Sequence, residues 1–70
     1  MKKGDFVRLV DAEGTGRYEG VGIVAGDVGI VTKVDSDLNE VYCSVAFFRV
    51  GYGIGGMLTS RYEVVGEADA

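Results

Sequence analysis

The chain contains no histidine, no tryptophan and no glutamine, and its one cysteine is Cys43. Each absence removes a class of explanation. Without histidine, and with a single thiol, the usual zinc-ligand sets cannot be assembled. The commonest general base is missing, and no serine or cysteine stands beside a partner base, so no catalytic apparatus is visible and no cofactor or metal site is expected. One cysteine forms no internal disulfide, and a lone thiol without a signal segment points to the cytoplasm. The first residues, MKKGDF, enter a strand-like pattern at once instead of the apolar stretch of a secretory signal. No apolar run reaches about 18 residues, so no membrane-spanning helix is expected.

What is present sets further bounds. Seventy residues make one domain. A chain of this size buries roughly 60% of its unfolded surface, so it depends on a well-packed core or on a partner subunit. Seven basic residues stand against 11 acidic ones, for a net charge of −4. The cations Lys2, Lys3, Arg8, Arg17, Lys33, Arg49 and Arg61 are spread along the chain. Nucleic-acid binding is therefore not expected, because a phosphate backbone needs a basic face.

The 12 glycines disfavour helix, at about 1 kcal/mol each relative to alanine. Val, Ile, Thr, Tyr and Phe dominate the stretches between them, as strands prefer. A first strand is expected over Phe6–Val10, with Val7 and Leu9 on one face and Phe6, Arg8 and Val10 on the other. The stretch from Asp11 to Gly20 is polar and reads as a loop. Ala25-Gly26-Asp27 reads as a turn before a second strand, Val28–Val34. Asp35-Ser36-Asp37 and Asn39 mark the next turn, with Leu38 expected to cover one end of the fold. The third strand, Glu40–Phe48, alternates Val41, Cys43, Val45 and Phe47 with Tyr42, Ser44, Ala46 and Phe48. The glycine-rich 49–56 stretch reads as a connection. Met57–Thr59 reads as a short fourth strand, Ser60-Arg61 as a helical turn, and Tyr62–Val65 as the fifth strand. Five short strands in so few residues favour an all-β fold, a five-stranded SH3-like barrel over residues 1–66, with 67–70 as a frayed acidic tail.

The runs KGDFVRLV, GDVGIVTKV, VYCSVAFF and TSRYEVV resemble bacterial SH3-like barrels of accessory proteins. These include the variable chain of ferredoxin–thioredoxin reductase and the stromal E subunit of photosystem I. The segment DLNEVYCSVAFFRVGYGIGGMLTSRYEVVG is most similar to the nitrogen-fixation NifZ type. The resemblance implies an accessory module whose partner is a metalloenzyme or its assembly machinery.

Several motifs invite sharper readings. Gly51-Tyr52-Gly53-Ile54-Gly55-Gly56 matches G-x-G-x-x-G in form. It lacks the strand–loop–helix context that places pyrophosphate, and reads as a turn. Cys43 lies in the most apolar strand and reads as a core thiol. Asp35, Asp37 and Glu40 lack the spacing of a calcium loop and read as a solvated turn. The candidate binding residues are Tyr18, Tyr42, Phe48, Tyr52 and Tyr62, since aromatics favour interfaces and tyrosine adds a polar handle. Tyr18 and Tyr52 sit on two loops that flank a groove in SH3-like barrels, and Tyr42 and Phe48 share the outer face of the third strand.

The leading functional expectation is a non-catalytic module that docks on a protein partner, either a different chain or a second copy of this one. One alternative is a small oligomeric enzyme with its site where subunits meet, as in barrels resembling the plasmid-type dihydrofolate reductase. That family's pore uses lysine, glutamine and tyrosine, and the missing glutamine weighs against it. The other alternative is a KOW- or Tudor-like nucleic-acid or peptide binder, which the acidic charge disfavours.

Overall fold

A computed structural model describes residues 1–11 and 20–67 of the chain. The described residues form one antiparallel sheet of five strands. These are β1 (Phe6–Leu9), β2 (Val28–Asp37), β3 (Glu40–Phe47), β4 (Gly53–Leu58) and β5 (Tyr62–Gly66), with a 3-10 turn over Thr59–Arg61 before β5. Their order across the sheet is β4-β3-β2-β1-β5. The strands expected at β1, β2, β3 and β5 therefore form, β4 starts at Gly53 where Met57 was expected, and β5 returns to pair with β1. A ladder between β4 and β5 does not form among the described residues, so the sheet is not closed into a barrel by hydrogen bonds.

The core lies on one face of this sheet. Val7 and Leu9 of β1, Val31 of β2, and Cys43, Val45 and Phe47 of β3 are each no more than 2% exposed, as period-two alternation predicts. Ile54 and Met57 of β4, Tyr62 of β5 and Ile23 of the segment before β2 complete it. The sheet must curl strongly to enclose these side chains. Strands β3 and β5 are three spacings apart across the sheet, about 14 Å if it were flat, yet the rings of Phe47 and Tyr62 lie 6.2 Å apart.

Three irregularities accompany the curl. Between Val31 and Lys33 the β2–β3 register shifts, so Val31 faces Val45 while Val34 faces Cys43. The extra residue keeps both valines on the core side and leaves Lys33 and Asp35 on the other. In the β3–β4 ladder Cys43 faces Met57 and Val45 faces Ile54, so two glycines stand opposite Ser44 alone. The second of them, Gly56, has a φ of 71°, a conformation glycine adopts without strain. The third shift lies at Phe6/Val7, where β1 meets β5.

The glycine-rich segment is thus not simply a turn. The chain reverses around Gly51, whose φ is 77°, and β4 starts at Gly53. A Cβ at Gly53 would stand 2.6 Å from the Val45 carbonyl oxygen, so this close strand approach requires glycine. Strand β2 is longer than expected, ending at Asp37, and the hairpin turn tightens to Leu38 and Asn39. Leu38 covers nothing: it is 96% exposed, with φ at 52°. Val41 keeps the core parity of β3 but is exposed, because this ribbon extends beyond the residues it would pack against.

Two substitutions are expected to move stability in opposite directions. A Cβ at Gly29 would meet the Ala46 carbonyl oxygen at 2.4 Å and Val45 Cγ1 at 2.7 Å. Gly29→Ala is expected to cost about 1–3 kcal/mol by overpacking. Leu38→Gly gives up an exposed side chain and relieves a left-handed backbone, for a gain of about 0.5–1 kcal/mol. Urea denaturation midpoints check both, and a Gly29→Ala protein as stable as the parent would contradict the register.

Candidate functional site

The outer face of the sheet carries an apolar cluster that its own core does not use. Phe6 pairs with Ile30 across β1–β2, and Ile30 pairs with Ala46 across β2–β3. Just past β3, the Phe48 backbone N–H donates to the Val28 carbonyl at 3.1 Å. This ladder brings the rings of Phe6 and Phe48 to a centroid separation of 6.0 Å, tilted by 47°. That arrangement is favourable for two quadrupoles. Phe6 remains 42% exposed and Phe48 56%, with Val28 exposed beside them. Arg8 and Glu63, opposite each other on β1 and β5, form an ion pair along the rim.

The candidate aromatic residues separate on folding. Phe48 lies in the cluster, and Tyr42 lies half-buried on the same ribbon, opposite Asp35 and Leu58. Tyr52 sits at the end of the sheet, where its hydroxyl donates to the Val21 carbonyl and fastens the 20–27 segment. Tyr62 is a core residue and not a surface one: β5 pairs Tyr62 with the buried Leu9, which turns the ring inward against Phe47. Tyr18 lies outside the described residues, as does most of the expected 11–20 loop. Phe6 was missed as a candidate. Its outward direction follows from alternation, but its meeting with Phe48 depends on two ladder registers.

A second feature was not foreseen. Arg49 grips the buried carboxylate of Asp27 with two hydrogen bonds, Nε to Oδ1 and Nη2 to Oδ2, each 2.7 Å. The same Nη2 reaches the Gly22 carbonyl at 2.7 Å, and the Val24 backbone N–H donates to Asp27 Oδ2 at 3.0 Å. With Tyr52, these contacts tie the segment that supplies Ile23 to the turn between β3 and β4. The Arg49 hydrogen bond, with help from the Val24 amide, holds the Asp27 carboxyl down at about 2. The reciprocal bond raises Arg49. This guanidinium is committed to the fold.

Burial pushes the Cys43 thiol up to about 11, so it stays protonated and a poor nucleophile at neutral pH. Among the described residues no group of three or more acidic or thiol side chains converges on a point a metal ion could occupy. They form no pocket, and no helix among them is long and apolar enough to cross a membrane. An exposed, partly apolar outer face without a pocket is suited to contact with another surface and not to enclosing a small molecule. Comparison with protein-family models, curated proteins and solved structures finds no significant match to this chain.

The Asp27–Arg49 pair predicts an acid-sensitive hold. The folded carboxyl titrates at about 2, below the ordinary 3.8, so folding favours its ionised form. Its contribution to stability is complete above the unfolded value and is lost as the pH falls from about 4 to about 2. Asp27→Asn is expected to flatten stability against pH in this window and to cost about 1–2 kcal/mol at pH 7. Urea unfolding of both proteins across the window checks this, and parallel curves would remove Asp27 as the source.

Proposed function

We propose that this chain is a non-catalytic interaction module of SH3-like barrel architecture that docks on a protein partner through the face around Phe6 and Phe48. A fifth strand that returns to the first after a 3-10 turn supports the architecture. One observation carries the docking role. Two phenylalanines pack on each other outside the core, in contact with solvent, where hydrophobic burial on binding contributes most. The net charge of −4 supports a protein partner over a nucleic acid. An accessory role toward a metalloenzyme or its assembly machinery rests on the sequence resemblance alone.

A photo-crosslinking amino acid placed at position 48 in the source cells is expected to give a discrete protein adduct. The same group at exposed Val24, which is not part of the cluster, gives none. Phe48→Ser removes an anchor whose burial contributes about 2 kcal/mol, which lowers affinity for that partner about 30-fold. Its thermal midpoint should stay near that of the parent. If Phe48→Ser unfolds the chain, Phe48 is structural and the docking face is lost. If the crosslinker gives no adduct at 48, the face has no protein partner.

A further inference from the structure

The docking role proposed above leaves the partner's chemistry open, and the outer face of the β2–β3 ribbon narrows it. This ladder runs from the apolar cluster to the hairpin tip. Ile30 and Ala46 lie at the cluster end, followed by Lys33 opposite Ser44, Asp35 opposite Tyr42, and Asp37 opposite Glu40. Lys33 pairs with Asp35 at 3.4 Å, and Arg8 pairs with Glu63 beside the aromatic end. Asp37 and Glu40 enter no ion pair among the described residues, and both are exposed. Like charges directly opposite each other weaken a ladder, so the fold gains nothing from this placement. The face is therefore apolar at one end and carries uncompensated negative charge at the other.

A second copy fits this surface poorly. Stacked in the same direction, two such faces would set carboxylates against carboxylates. Stacked in opposite directions, each would set carboxylates against the other's phenylalanines and desolvate them without a partner. A complementary occupant has the reverse polarity.

We infer that this face receives a protein segment with an aromatic or aliphatic anchor at one end and a run of arginines or lysines at the other. Strand β2 spans ten residues from Val28 to Asp37, which at ~3.3 Å per residue is roughly 30 Å. An extended segment of about the same length reaches from the anchor to the carboxylates. Rim charges of this kind set selectivity and association rate, while the buried aromatic contact holds the complex.

The test titrates isotope-labelled protein with synthetic peptides of about ten residues, followed by backbone amide shifts. One peptide carries paired phenylalanines at one end and an arginine run at the other, and is made in both sequence orders. Two controls replace the arginines with serines or with glutamates. In one sequence order, the basic peptide is expected to shift amides at both ends of the ribbon and to bind about tenfold more tightly than the serine peptide. High salt, or the combined variant Asp37→Asn with Glu40→Gln, should abolish that advantage. Equal binding of the serine peptide would overturn the basic partner and leave apolar docking standing. Binding that ignores Phe48→Ser would be charge attraction alone, and would overturn both. So would silence with every peptide. A stable dimer through this face by sedimentation would replace the proposed occupant with a second copy.

Discussion

A single sheet has to hide one of its own faces, and the rest of this molecule follows from that constraint. The ten-residue core is drawn from all five strands and from Ile23. A flat sheet would leave such a core in water. The sheet instead curls until β3 and β5, separated by two strands, bring Phe47 and Tyr62 together. Glycine makes the curl sterically possible where strands approach most closely. Gly29 and Gly53 lie against the backbone or side chains of Val45 and Ala46, with no room for a Cβ. The register shifts add local twist and reset which side chains face inward.

The Asp27–Arg49 pair solves a different part of the same problem. Ile23 belongs to an irregular segment that backbone bonds join to β1 only at its end, between Leu9 and Gly26 and Asp27, yet Ile23 is 2% exposed. Two hydrogen bonds from one guanidinium, with further bonds to Gly22 and from Val24, fix that segment's path. An isolated surface ion pair would contribute little. This one acts on a buried carboxylate, so removing Arg49 would leave that charge with the Val24 amide in place of three donors.

Sequence patterning made much of the sheet legible, and the reasons for its limits are specific. Alternation located β1, most of β2, and β3, because one face of each is buried while its neighbours look outward. It also identified Cys43 as a core thiol. It failed for β4, where glycines that permit close strand approach read as glycines that make a turn. It misassigned Tyr62, since the direction of a short final strand depends on its register with β1. Phe6 and Phe48 lie 42 residues apart in the chain, and Asp27 and Arg49 are separated by 22. No local pattern announces either meeting. Leu38 was expected to cover an end of the fold, but a two-residue turn at the tip of a long hairpin leaves it in water.

The same alternation that fills the core determines what the surface can do. Each residue turned inward on β2 and β3 obliges its neighbours to turn outward, so the composition of the outer face is not free. A strand buried on one side normally presents polar residues on the other. Here the outward positions near β1 are Phe6, Val28, Ile30, Ala46 and Phe48, while those near the hairpin tip are charged. Core packing explains Val31, Val45 and Phe47 but gives no reason for a second aromatic cluster behind them. Core packing would be served as well by threonine or lysine at those outward positions. The gradient from apolar to acidic along one ribbon is therefore a property of the surface itself, and it is what the proposed docking would draw on.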